Sequence, residues 1–327
     1  MGLMYQPKWL LVGALFVSST ACILIPSVAV QFGSIGVIIC RVIQGLAHGF
    51  IFPSVHNILG QWVPASERSR LILLAYSGTQ FSSILTKLVF RSISESWAGW
   101  PAIFYLFGGL GYAWIILWIN CGYNTPAEHG TITEEERSYI QNSLGVNEKN
   151  QATRTPWKAI FTSLPVWAIV VAYLGQTWGA SILLNETPKY IDRVMKYDMK
   201  SDRLLSVAPN IAVFVLSFSF CFISDYMING MGVSRTFARK FFTTIGMTVP
   251  LIGLIPQGFV PEETTILSII LLLIAVGSSA ATCSGSFANI MDLSPKFSGI
   301  IMGITNCTAN FFSIGTPFAV HLIVNDM

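Results

Sequence analysis

The sequence predicts an all-α integral membrane protein with about nine transmembrane helices, and three observations carry that prediction. Hydrophobic residues make up 53% of the chain and charged residues 11%, with a mean hydropathy of +0.61. A soluble domain carries about 25% charged residues, so a soluble chain of this composition would have too little polar surface to cover itself. The apolar residues also fall in blocks of ~17–25, the length a helix needs to cross ~30 Å of hydrocarbon. Within each block apolarity is continuous, whereas barrel strands alternate over about ten residues. A helix satisfies its own backbone hydrogen bonds, which lipid cannot do for it.

Nine blocks follow in order, at residues 9–30, 37–59, 71–89, 101–118, 165–184, 204–223, 241–255, 266–282 and 299–324. The first is too long for a signal-peptide core and lacks a small-residue cleavage site before a soluble domain. A hydrophilic stretch at 121–164 separates the first four blocks from the other five. The expected organisation is therefore a partial N-terminal helix bundle over 1–120, a central loop over 121–164 and a partial C-terminal bundle over 165–327. Inside the loop, Thr131 or Thr133 is placed to cap a short solvated helix over 134–144. Its acidic run Glu134, Glu135, Glu136 sits at the positive end of the helix dipole. A four-plus-five division is an awkward number for a transporter built from repeated halves, and it creates the expectation that helices are missing from this chain.

Basic residues suggest an orientation. With a cytoplasmic N-terminus, the cytoplasmic connections hold Lys8, Arg68, Arg70, Arg137, Lys149, Arg154, Lys158, Arg235, Arg239, Lys240 and Lys296. The opposite side holds Lys87, Arg91, Lys189, Arg193, Lys196, Lys200 and Arg203, five of them in the mixed-charge, solvent-facing stretch 189–203. The bias places the N-terminus and central loop in the cytoplasm. On the opposite side Asn185-Glu186-Thr187 is a formal glycosylation sequon. A net charge of +3, without a basic cluster interleaved with aromatics, gives no case for nucleic acid. The six cysteines (Cys22, Cys40, Cys121, Cys221, Cys283, Cys307) lack metal-ligand spacing and read as small packing residues. No glycine loop ending in Lys-Ser/Thr, no GxSxG and no HExxH occurs. The expectation is a non-enzyme with no cofactor and no metal.

Charge inside a membrane helix is costly, so each instance is a functional candidate. In the second block Arg41, Gln44, Gly45 and His48 follow i, i+3, i+4, i+7 spacing and share one helix face. Arg41 and His48 are then about 10 Å apart along the axis. A stripe holding a permanent cation and a titratable imidazole suits anion binding with proton linkage. Each residue has a structural alternative: Arg41, about two turns from the block's start, can snorkel to the interface, and His48 can pack on a neighbouring helix with its ring satisfied. Gly45 and Gly49 form a small-xxx-small pair that predicts close helix contact. Gln80 and Gln176 are further cavity-lining candidates in their blocks, and Asn289, Asp292 and Asn306 bracket the entry to the last one.

The run RVIQGLAHGFIFPSVHNILGQWVPASERSRL (41–71) resembles the anion:cation symporter family of the major facilitator superfamily, which includes sialin, the vesicular glutamate transporters and sodium/phosphate cotransporter-like proteins. The shared pattern is Arg-x-x-Gln-Gly, Pro-x-x-His, then Trp-x-Pro and Glu-Arg. The similarity continues in YSGTQF (76–81), WPAIFYLFGGLG (100–111), TPAEHGTITEEERSYI (125–140), LPVWAIVVAYLGQTW (164–178) and NIMDLSPKFSGIIMGITN (289–306). Insect inorganic phosphate cotransporter-like sequences look similar in the linker and in 189–203.

The resemblance implies a major facilitator fold, with the nine helices matching the third through eleventh of twelve. It implies an anion-binding role for Arg41, beside which Gln44, Gln80, Gln176 and Asn306 stand as the substrate-binding candidates read from the intramembrane polar residues. Gly45, Gly49, Pro53, His56, Glu67 and Arg68 form the structural part of the motif. Family members use an Arg at the position of Arg41 to bind the anion, and many carry a coupling Glu where this chain has His48. The glutamate-transporting branch has an Arg where Gln176 stands, and the last motif usually opens Asn-His rather than Asn289-Ile290. The expected activity is symport of a small inorganic or organic anion with Na+ or H+ across the lipid bilayer, in the plasma membrane or a lysosomal or vesicular membrane. Two alternatives stand beside it: a ligand-binding sensor that does not transport, and an inactive truncated product.

Overall fold

The computed structural model describes residues 6–94, 96, 99–144, 155–186, 203–260 and 264–324. The sequon and nearly all of the charged stretch 189–203 lie outside them, apart from helix positions whose side chains are not described. The described residues form helices α1 (Pro7–His48), α2 (Ile51–Trp62), α3 (Arg68–Ser94), α4 (Pro101–Cys121), α5 (Glu134–Leu144) and α6 (Trp157–Phe161). They continue with α7 (Leu164–Ser181), α8 (Arg203–Asn229), α9 (Arg235–Gln257), α10 (Thr265–Ser279), α11 (Ser286–Leu293), α12 (Ser298–Ser313) and α13 (Gly315–Val324). All nine expected blocks are helical over nearly all of their length. Among the described residues, seven helical stretches are long and apolar enough to cross a membrane. The first of these, Pro7–Trp62, contains two of the expected crossings. The remaining block lies in the 27-residue α3, whose serines, Gln80 and Lys87 dilute its apolarity. Apolar side chains face outward along the helices; Leu117 and Val171 are each 64% exposed, an arrangement that suits lipid and not water.

The helices are broken where hydropathy is silent. The first two blocks are not separated by a loop. They join in α1 across a kink at Gly33 (φ 60, ψ −146), a left-handed conformation that glycine adopts without steric penalty. The second block is itself interrupted after His48, and α2 restarts at Ile51. Pro53 falls in the first turn of α2, where its missing N–H costs no helical bond. The eighth block ends in a 3₁₀ turn, Ala280–Cys283, before α11. The last block breaks between α12 and α13, at the point where Pro317 cannot donate to the preceding turn. In the linker, the Thr133 hydroxyl accepts the Glu136 N–H at 3.3 Å, so Thr133 rather than Thr131 caps α5.

The chain divides into two compact units. The first comprises Met1–Pro64, Val89–Trp157 and Ser294–Gly303; the second comprises Ala65–Leu88, Lys158–Leu293 and Ile304–Met327. In the first unit α4 lies against α1 because its glycines leave room. A Cβ at Gly108 would meet the Ile23 side chain, and one at Gly111 the Ser19 hydroxyl. Lys8 at the start of α1 is tied to the end of α4, its N–H donating to Asn124 Oδ1 at 2.9 Å and its ammonium to the Ile119 carbonyl at 2.7 Å. The core of the second unit gathers Leu183, Leu272, Ala275 and Val276, with Val213 and Leu254 packed against them. Gly277 lets α10 approach α8, since a Cβ there would lie 2.6 Å from Leu216 Cδ1.

Candidate functional site

In the first unit the polar face of α1 is wired together. Arg41 Nη1 donates to Gln44 Oε1 at 3.3 Å, and Gln44 Nε2 donates to the Ser18 carbonyl at 3.1 Å. The Ser18 hydroxyl and His48 Nε2 share a hydrogen bond of 2.8 Å. Gln44 and Ser18 are buried, while Arg41 and His48 are exposed. This chain is possible because the kink at Gly33 folds the 34–48 half of α1 back toward its first turns. Phe104 of α4 stands beside the Arg41 guanidinium, its ring centre 5.9 Å away. The close helix contact expected at Gly45 is not found: no described atom lies within 4 Å of where its Cβ would be. Gly49 meets only the carbonyls of its own turn. The face that carries Arg41 and His48 is therefore open at Gly45.

Pro53 and His56 serve the other side of the same unit. His56 is wholly buried, and the Ser298 hydroxyl lies 2.9 Å from the His56 carbonyl and from that of Pro295. A Cβ at Gly299 would stand 2.7 Å from the Pro53 carbonyl, and one at Gly60 would run into the Pro295 carbonyl. Here α2 and the start of α12 touch backbone to backbone.

In the second unit Arg68 and Arg239 bind Asp292 from separate elements. Arg68 Nη1 is 2.6 Å from Asp292 Oδ1 and Arg239 Nε is 2.6 Å from Oδ2. Arg239 Nη1 also donates to Ser69 Oγ at 2.7 Å, Ser224 Oγ at 3.1 Å and the Ser284 carbonyl at 2.8 Å. Beside this group Arg70 pairs with Asp225 at 3.3 Å and with Glu67 at 3.6 Å. The sequence singled out Glu67, Arg68 and Asp292 but counted Arg239 among the cytoplasmic connections, whereas it lies buried inside α9. It shares the buried face of α9 with Ala238 and Phe242, and an arginine four residues after Arg235 carries no mark of that burial in the sequence.

A second polar group in this unit centres on Tyr173. Its hydroxyl donates to Asn306 Oδ1 at 3.4 Å, which also accepts from Asn310 Nδ2 at 2.9 Å. The Tyr173 and Tyr76 rings both pack on Phe287, with centroids 5.0 and 5.7 Å away. Gln176 is one turn beyond Tyr173 on α7, and its buried Oε1 has no hydrogen-bond partner among the described residues. Gln80 is one turn beyond Tyr76 on α3 and is half-buried. The predicted residues thus divide: Arg41, Gln44 and His48 belong to the first unit, and Gln80, Gln176 and Asn306 to the second. Tyr76 and Tyr173 escaped sequence reasoning, because a tyrosine in an apolar block reads as packing.

Long apolar helices carrying one cationic polar chain and one aromatic–amide cluster are those of a multi-pass membrane protein. Residues 2–317 match the model of the Major Facilitator Superfamily, and the chain belongs to that family. It is 35% identical over 314 residues to the "Putative inorganic phosphate cotransporter" of Drosophila melanogaster, covering 95% of this chain and 59% of that protein. It is 32% identical over 312 residues to Vesicular glutamate transporter 2 of Homo sapiens, covering 94% of this chain and 53% of the other. The chain therefore spans little more than half the length of these relatives. Among solved structures, the proton:xylose symporter XylE with bound 6-bromo-6-deoxy-D-glucose superposes with a TM-score of 0.70 at 14% identity, over 98% of this chain and 73% of that one. At that identity the match concerns the fold.

Proposed function

We propose that the protein is a secondary active transporter for a small anion, phosphate-like or carboxylate, working by alternating access in symport with Na+ or H+. The observation that carries this reading is the Arg41–Gln44–Ser18–His48 chain. A permanent cation sits on an open helix face, its guanidinium oriented by a buried amide and a titratable ring anchored at the far end. Arg41 attracts the anion as a fixed charge with several donors. Gln44 and His48 shape the site in the same unit; Gln80, Gln176 and Asn306 are the substrate-binding candidates within the second unit. His48 is the coupling candidate, since imidazole is the side chain that changes charge near neutral pH. The names of the relatives, a phosphate cotransporter and a glutamate transporter, support an anion as cargo. Gln176, standing where the glutamate-transporting branch has an Arg, weighs toward the phosphate-like side. The host membrane is the plasma membrane or a lysosomal or vesicular one.

The test is uptake of radiolabelled phosphate and of organic anions by the full-length protein in proteoliposomes, comparing wild type with Arg41→Ala. Loss of uptake with normal folding of the variant is expected, and unchanged uptake would remove Arg41 from the site. A second reading, a binding protein that senses the anion without carrying it, is favoured by His48 in place of the family's coupling Glu. Saturable anion binding with no counterflow would select it.

A further inference from the structure

We propose that Asn306 is an uncharged anion-binding group whose amide offers only N–H donors, and that Asn310 and Tyr173 are the residues that turn it that way. Asn310, one turn after Asn306 on α12, fixes the orientation. Its Nδ2 reaches both the backbone carbonyl of Asn306, at 2.8 Å, and Asn306 Oδ1, at 2.9 Å. A backbone carbonyl only accepts, so the Asn310 atom beside it is the amide nitrogen, and the Asn306 atom facing that nitrogen is the oxygen. The Tyr173 hydroxyl, 3.4 Å from the same oxygen, must then donate as the second, weaker partner. Tyr173 is buried, and its ring is held against Phe287 with centroids 5.0 Å apart. With both lone pairs of Oδ1 taken, Asn306 presents two N–H groups that no described residue takes up.

Asn306 and Asn310 stand four positions apart on one face of α12, within the apolar stretch Pro295–Leu322. Asn306 is half-buried and Asn310 exposed, and amides within such a stretch border polar space rather than lipid. Two N–H donors without an acceptor suit the ionised oxygens of a phosphate or carboxylate, which accept and do not donate. They oppose an ammonium group or a metal cation, and they give a substrate hydroxyl nothing to donate to. This assignment rests on the anion-transport reading and narrows it, giving the second unit an anion contact that carries no charge.

The test is uptake of labelled phosphate and glutamate by the full-length protein in proteoliposomes, with KM and the rate at saturation measured separately. The variants are Asn306→Ala, the isosteric Asn306→Asp, Asn310→Leu and Tyr173→Phe. Asn306→Ala should raise KM ~10-fold or more, through loss of a hydrogen bond to a charged ligand. Asn306→Asp should raise it further, because a carboxylate has the same shape with acceptors only. Asn310→Leu and Tyr173→Phe free the Asn306 amide to turn, so each should raise KM while the saturated rate stays within about twofold of wild type. Loss of a merely structural contact would instead lower the amount of active protein and leave KM unchanged. If Asn306→Asp does not fold, Asn310→Leu and Tyr173→Phe decide the matter. A KM for Asn306→Asp at or below that of Asn306→Ala overturns the proposal, and so does an unchanged KM in both Asn310→Leu and Tyr173→Phe. These outcomes leave the transport reading standing, whereas wild-type protein that carries neither anion removes both.

Discussion

Arg239 Nε stands 2.6 Å from Asp292 Oδ2, and the two side chains are almost entirely shielded from solvent. With Arg68 on the other carboxylate oxygen, one acid serves two arginines. A buried carboxylate that compensates two cations is harder to remove than either cation, because its loss strands both.

Asp292→Ala should therefore destabilise the second unit by ~3–5 kcal/mol, the cost of leaving buried charge uncompensated. Arg68→Met should cost less, since Asp292 keeps Arg239. The check is the fraction of protein that remains monodisperse in detergent after heating, measured for both variants. Equal midpoints for the two would contradict the shared-acid arrangement.

Gly33 and Gly45 should respond oppositely to alanine. At Gly33 the φ of 60° makes any Cβ unfavourable by ~1–2 kcal/mol. At Gly45, helical and with open space around its Cα, alanine should raise stability by up to ~1 kcal/mol. Thermal unfolding midpoints of Gly33→Ala and Gly45→Ala falling on opposite sides of wild type is the expected outcome.

The crossing of α2 with the start of α12 predicts a graded series. Gly60→Ala drives a methyl into the Pro295 carbonyl and Gly299→Ala places one 2.7 Å from the Pro53 carbonyl. Backbone atoms cannot rotate away, so each should cost ~1–3 kcal/mol. Gly303→Ala meets Pro53 Cγ at 3.6 Å, an ordinary contact, and should be close to neutral. The same heating assay ranks the three.

In the first unit, Gln44→Ala removes the acceptor that orients Arg41 and the donor that reaches Ser18. Under the anion-transport reading it should raise the KM for labelled phosphate, by about tenfold for ~1.4 kcal/mol of lost binding, and leave the protein folded. His48→Gln should abolish uptake driven by a proton gradient while sparing anion exchange at equal pH. Proton-driven uptake that survives the substitution would take coupling away from His48.

Much of the fold was legible along the chain. All nine apolar blocks are helical over nearly all of their length, the linker helix spans Glu134–Leu144, and the motif resemblance at 41–71 led to the family that the chain belongs to. Apolarity is a property of each segment alone, so it survives being read in one dimension. The breaks were not legible, because hydropathy measures how long a run is and not which way its backbone turns. Gly33 looks like any other glycine until its φ is known. Pro53 and Pro317 were visible, but each sits inside a run whose apolarity continues through it.

The candidate site divides in the same way. Arg41, Gln44 and His48 were placed on one face by helical spacing alone. Their link through Ser18, 30 residues from His48, required the fold of α1 back on itself. Tyr173 and Asn306 are separated by 133 positions, and Arg68 and Asp292 by 224.

By itself the sequence determined that this chain lies in a membrane, where its helices run and which polar residues stand inside them. The hydrophobic effect behind those assignments is non-directional and sums over local surface. Only the tertiary structure decided which charge meets which, that Asp292 holds two arginines and that Gly45 faces open space. Hydrogen bonds and ion pairs depend on distance and angle, and between residues far apart in the chain those are set only when the helices have packed.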